Sequence, residues 1–342
     1  MSEILSQRRP EVLGSPGKAE SLAGAVVRKL SNIPRLSIVV PHGGDDAAFE
    51  SSLASVLQHR PDGCEVIVSH DGNYDDPFDL AEEVRFVDSG STNVLRQIAD
   101  AAEVALGRFV HVVADAHVAT ANWTDAALAQ FEGNETGVVV PVVVDPDTQR
   151  IEHAGWRTTA SSACGPIGFG DKRVARKAAA RVEGAFIAAS FWRRDLLRSL
   201  AGTYRGTDTI EASVGFGHLV AQAGWRCVIA EDSVMSMDFE TDVLDYDLRI
   251  QRNHRRLQAL SDHLRSGKSA GWGRGVQRLL ATTLAGGLRP SSLLAGLRRM
   301  TAPLAGNAIS RSVQTAGVLS VDDTPETLAM PSVNHEPLRR AA

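Results

Sequence analysis

Between residues 35 and 145 the chain repeats one pattern, a short and nearly continuous run of apolar, mostly β-branched residues followed by a stretch of helical periodicity. The runs are "RLSIVVP", "CEVIVSHDG", "RFVHVVADAHV" and "TGVVVPVVVD"; between them lie "DAAFESSLASVLQH", "VLRQIADAAEVAL" and "WTDAALAQFE". A strand that is apolar at nearly every position has both of its faces covered, and amphipathic helices alternating with such strands do the covering. The pattern predicts an α/β fold, a mostly parallel sheet flanked by helices. Ligands of such sheets bind beyond the carboxyl ends of the strands, where "PHGGDD", "SHDGNYDD" and "ADAHV" fall.

After Asp145 the alternation stops. "RIEHAGWRTTASSACGPIGFG" reads as a looped insert, "VEGAFIAASFWRRDLL" as a strand and helix, residues 209 to 223 as a helix and "GWRCVIAEDSVMSMD" as a further strand. "DYDLRIQRNHRRLQALSDHL" reads as a helix with Leu257, Leu260 and Leu264 on one face. A chain of 342 residues, 43% of them hydrophobic, can bury a large core. Its formal charge of −5 argues against nucleic acid as the main partner. Three dispersed cysteines, without metal-ligand spacing, point to buried thiols in a reducing compartment. The N-terminus lacks a hydrophobic signal region and no run reaches the roughly 20 apolar residues of a membrane span, so the expected location is cytoplasmic.

Five segments, taken in order, resemble the GT-A glycosyltransferases of the family 2 type. They are "LSIVVPHGGDDAAFESSLASVLQH", "CEVIVSHDGNYDD", "ALGRFVHVVADAHVATANWTDAAL", "VEGAFIAASFWRRDLL" and "LVAQAGWRCVIAEDSVMSMD". The Asp-x-His of the third is similar to the polypeptide N-acetylgalactosaminyltransferase branch. This resemblance implies a Rossmann-like GT-A domain over residues 34–267, with a nucleotide-sugar half (34–145) and an acceptor half (146–267). Residues 1–33 are expected to form a flexible leader, 268–300 a basic amphipathic extension and 301–342 a disordered tail. The implied reaction moves a sugar from a nucleoside-diphosphate donor, UDP-sugar favoured, to a hydroxyl on a glycan, lipid-linked or small acceptor.

Under that resemblance the donor diphosphate needs its charge neutralised as the glycosyl bond breaks, and a divalent cation is the usual device. Asp115 and His117 can reach one ion from a single turn, a donor set that suits Mn2+ and tolerates Mg2+ less well. Asp238, in "SMDFE", is the expected third metal ligand, where the family more often has histidine. Read by themselves, Asp115 and Asp238 are equally turn caps and His117 an exposed residue with no capping role. Asp71 is expected to hold the nucleoside, with His70 replacing the family's first aspartate, and Pro41 to shape the loop beside it. The resembling family's acidic pair falls on Ala212 and Ser213, so Glu211, with Asp208 second, is the expected general base, either acid being equally a first-turn helix residue favoured by the dipole. The missing pair keeps a second reading open, a non-catalytic module that binds nucleotide-sugar or glycan. Beyond Asp262 eight basic residues follow with no acid before Asp322, which suggests peripheral contact with the anionic inner membrane surface.

Overall fold

The computed structural model describes residues 33–114, 116–159, 162–172 and 181–237, together with Leu257, Gln258, Leu260, Ser261, Leu264 and Arg265. The predicted alternation is present. Strand β1 (Leu36–Pro41) leads to helix α1 (Asp46–His59), β2 (Glu65–His70), β3 (Arg85–Asp88) and α2 (Val94–Val104). Then come β4 (Phe109–Val113), β5 (His117–Ala119), α3 (Trp123–Gln130) and β6 (Thr136–Val144). The looped insert carries β7 (Ile151–His153), β8 (Trp156–Arg157) and β9 (Gly165–Pro166). Strand β10 (Ala189–Arg193), α4 (Arg194–Thr203), α5 (Thr209–Gln222) and β11 (Arg226–Met237) follow.

Among the described residues one nine-stranded sheet has the order β3-β2-β1-β4-β10-β6-β11-β5, with β7 beside β6. Strands β1 to β4 pair in parallel, as do β6 and β11, whereas β10, β5 and β7 run against their neighbours. The sheet is therefore parallel in the direction of most strands but mixed in its pairing. Strand β10, from the expected acceptor half, lies between β4 and β6 of the other half, so both halves share one sheet. Arg193 fixes that insertion by donating from its guanidinium to the carbonyls of Thr136, Gly133 and Asn134.

Both faces are covered, as the apolar strands require. Leu95, Leu196 and Ile210 from α2, α4 and α5 pack into one core, which Leu257, Leu260 and Leu264 join. Phe49 and Trp123, from α1 and α3, belong to a second core on the opposite face. Local chemistry starts the helices in place. Asp45, Asn93 and Asp208 each accept backbone N–H bonds at the first turns of α1, α2 and α5, an arrangement worth about 1 kcal/mol per cap. Gly107 lets the turn before β4 approach β1, because a Cβ there would lie 2.5 Å from the Ser37 nitrogen. The buried Ser37 hydroxyl then accepts from Gly107 N–H and donates to Glu65.

Candidate functional site

The carboxyl ends of β1, β2, β4 and β6 open on one side of the sheet, and hydrogen bonds tie their loops together. His42 N–H donates to Ser69 O at 2.7 Å and Ala114 N–H to Ala188 O at 2.9 Å. The buried Gln97 amide donates to the carbonyls of His42 and Ser91 at 3.0 and 2.8 Å. Pro41, the last residue of β1, is buried and pairs with Ser69, so it ends the strand and turns the chain toward α1.

In the loop after β2, Asp71 faces solvent and accepts from the Asn73 backbone N–H at 3.0 Å and the Asn73 side-chain amide at 3.1 Å. These bonds hold its carboxyl below the usual carboxylate range, so the group stays ionised with oxygen lone pairs to offer a ligand. His70 accepts the Gly72 N–H on Nδ1 at 3.1 Å, and so fills the loop-shaping role of a carboxylate at that place. Beside this loop stands a group of rings that the motifs did not reveal. His42 meets Phe49 edge-on at 4.9 Å, Phe49 meets Tyr74 at 5.2 Å and Tyr74 stacks on Phe86 at 5.9 Å. The aromatic residue inside "HDGNYDD" was the one available signal.

The third loop turns tightly. His117 N–H donates to Ala114 O at 3.2 Å, and Ala116 sits in the left-handed region at φ 60°, a conformation that a non-glycine residue adopts at a cost of order 1 kcal/mol. This turn sends the His117 side chain inward. The residue is fully buried rather than exposed, which corrects the surface position expected for it. Its Nδ1 bonds Ala114 O at 2.5 Å, and its Nε2 lies 3.3 Å from Nε2 of the equally buried His153 in β7. The first contact requires N–H at Nδ1, which leaves the lone pair on Nε2, the state in which a histidine binds a metal. His117 also pairs with Met237 across β5 and β11, directly before the expected ligand Asp238. Asp115 and Asp238 themselves lie outside the described residues. Among the described residues no group of three or more His, Cys, Asp and Glu side chains gathers at one point.

The base candidates separate. Asp208 caps α5, its Oδ1 accepting from Ile210 and Glu211 N–H at 2.9 and 3.0 Å. Glu211 is buried in the first helical turn. Of the two residues where an acidic pair was expected, Ala212 is buried in the core, and the Ser213 hydroxyl accepts from Ile187 N–H at 3.0 Å while donating to Thr209 O. That serine holds α5 against the strand-leading segment before β10. Trp156 locks the insert to α5 in turn, since a Cβ on Gly184 or Gly217 would come within 2.5 to 2.6 Å of its indole.

A cleft of about 30 Å3, roughly one water, lies between Pro41, Asp45, Phe49 and Ala114. A larger one, about 750 Å3, lies elsewhere, between the C-terminal part of α5, the start of β11, Glu183 and Arg265. We place the candidate site at the strand ends despite the size difference, because the loops named above converge there. The three cysteines are free thiols, Cys164 buried and Cys64 and Cys227 half-buried. Among the described residues no helix is long and apolar enough to cross a membrane.

No protein-family model matches this chain, and no curated protein matches it. Similar solved structures include GalNAc-T7 with UDP, GalNAc and Mn2+, at 13% identity and a TM-score of 0.48, covering 87% of this chain and 67% of that one. Another is the mannosyltransferase PcManGT from Pyrobaculum calidifontis in complex with GDP-Man and Mn2+, at 15% identity and a TM-score of 0.46, covering 82% of this chain and 87% of that one.

Proposed function

We propose that the chain is a glycosyltransferase that moves a sugar from a nucleoside-diphosphate donor, a UDP-sugar first, to a hydroxyl acceptor with the help of a divalent cation. One observation carries the reading. The turn that follows β4, a strand paired with β1, carries a buried imidazole whose Nε2 lone pair is preserved by the Nδ1–Ala114 bond. The order of the five sequence segments agrees with it.

Each residue has a role in that reading. The ionised Asp71 accepts hydrogen bonds from the nucleoside, and the rings of His42, Tyr74 and Phe86 offer the base an apolar wall. Asp115 and His117, with Asp238, hold the cation, Mn2+ before Mg2+ because a nitrogen ligand favours the former. The bound ion supplies Lewis-acid stabilisation of the leaving diphosphate. Glu211 accepts the proton of the acceptor hydroxyl as that oxygen attacks the anomeric carbon, and Asp208 holds the first turn of α5 that carries Glu211. The acceptor is a glycan, a lipid-linked molecule or a small alcohol.

The test is release of UDP from a panel of UDP-sugars in Mn2+, with candidate acceptors and with water alone. Transfer that needs metal and is lost in Glu211→Gln supports the reading. Nucleotide binding without turnover of any donor contradicts it and favours a binding module.

A further inference from the structure

The contact between His117 and His153 has no part in the reading given so far. Both imidazoles are buried, at 0% and 1% exposure. Strand β7, which ends at His153, pairs with the end of β6 through Val143, and the His153 ring stands edge-on to Phe186 at 5.0 Å. Three residues on, the wedged Trp156 fixes the same segment to α5. Strand pairing and ring packing therefore hold His153 at the same side of the sheet as the turn after β4.

The two Nε2 atoms are 3.3 Å apart. In the absence of an ion that contact is a hydrogen bond, and because His117 uses its proton at Nδ1, the shared proton belongs to His153 Nε2. The same separation suits a cation. Two imidazole nitrogens each about 2.1 Å from one ion and 3.3 Å apart subtend an angle of about 104° there, between the 90° of octahedral and the 109° of tetrahedral coordination. An ion in that place replaces a proton that passes to Nδ1 of His153; with the ring centroids 5.6 Å apart each Nε2 points along the line to the other, so both rings tilt to bring their lone pairs onto the ion.

We propose that His153 is a ligand of the divalent cation, its Nε2 and that of His117 binding one ion together. This rests on the proposed metal-assisted reading and deepens it, since it adds a residue from the insert to a site assigned to the loops after β4 and β11. Two nitrogen ligands shift the preference of the site from Mg2+ toward the transition ions. The insert segment "RIEHAGW" thereby acquires a function, to deliver the second imidazole.

The experiment uses the full chain, Mn2+ and UDP. Electron paramagnetic resonance of free Mn2+ measures binding, and pulsed resonance of the bound ion counts coupled imidazole nitrogens. Two coupled nitrogens are expected in the parent, and one in His153→Gln. The variant should bind Mn2+ at least about tenfold more weakly, the lower bound set by loss of an outer-shell partner, and tenfold excess Mg2+ should leave the parent's bound Mn2+ in place. A single coupled nitrogen in the parent overturns the proposal while leaving His117 and the metal-assisted reading standing. Absence of bound Mn2+ in the parent, with UDP present, overturns both. Because His153 is buried, circular dichroism and thermal unfolding of His153→Gln and His153→Asn accompany the titrations; a folded variant that keeps the parent's Mn2+ affinity also overturns the proposal.

Discussion

Replacing Asp208 by alanine removes one acceptor oxygen from two amides, Ile210 N–H at 2.9 Å and Glu211 N–H at 3.0 Å. Loss of such a cap costs about 0.5 to 2 kcal/mol, and loss of the negative charge at the start of α5 adds about 0.3 to 1 kcal/mol. In a domain of this size each kcal/mol lowers Tm by about 2 to 4 °C, so Asp208→Ala should melt several degrees below the parent. Asparagine keeps the acceptor oxygen and loses only the charge, so Asp208→Asn should melt within about 4 °C of the parent. A general base behaves differently, since its removal lowers kcat by about 10^2 to 10^4 without unfolding anything. Glu211→Gln should show that loss at unchanged UDP affinity, whereas Asp208→Asn should keep most of its transfer rate. Thermal unfolding and single-donor transfer assays on the same preparations separate the two roles. If Asp208→Asn folds like the parent but is inactive while Glu211→Gln transfers normally, the base assignment is reversed; an Asp208→Ala variant that melts like the parent refutes the cap argument.

Asp71→Ala should weaken UDP binding by about tenfold to a hundredfold, the effect of one charge-assisted hydrogen bond; unchanged affinity by calorimetry removes Asp71 from the nucleoside site. Burial drives the His111 pKa down to about 3. The unfolded chain, with an ordinary histidine near 6.5, then binds the extra proton between those values, so stability falls as pH drops below 6.5, by about 1.4 kcal/mol per pH unit for this one group. His111→Phe, which keeps a ring on Phe191 at the present 3.6 Å stack, should lessen the slope of unfolding free energy against pH by that amount; an unaltered slope contradicts the burial argument. The basic segment beyond residue 267, outside the described residues, should carry the full chain onto anionic liposomes, where each basic side chain contributes about 1 kcal/mol. A chain ending at Gly267 that co-sediments equally well rules that contact out.

The strands and helices of the first half were legible because their physics is local. Full burial of β1, β4 and β6 forces continuous apolar sequence, and the caps at Asp45, Asn93 and Asp208 mark helix starts. Strand β3 was missed because it is a short, half-exposed edge strand whose ends are the charged Arg85 and Asp88, so it has no apolar run to announce it. The antiparallel insertion of β10 is set by the long-range bonds of Arg193 and by pairing with β4 and β6, neither of which leaves a local pattern. The site divides in the same way. The Asp-x-His turn is a local motif, but the burial of His117 depends on β11 and β7 closing over it, and the nearness of His153 spans 36 positions in the chain. The role of the Ser213 hydroxyl, accepting from Ile187 N–H 26 positions away, leaves no local pattern.

The proposed function requires the strand-end crevice to bind a nucleoside diphosphate together with a cation held by His117. Because His117 is buried and bonded to Ala114, its replacement lowers the metal-free Tm, so stability alone cannot identify a ligand. The decisive quantity is the further shift on adding Mn2+ and UDP. A ligand pair present at 100 times its dissociation constant stabilises the native state by about 2.7 kcal/mol, about 5 to 10 °C for this domain. That shift is expected in the parent, none with UDP alone, and almost none in His117→Gln measured from its own lowered baseline. A His117→Gln shift equal to the parent's at the same metal concentration, or a parent shift that does not need metal, contradicts it.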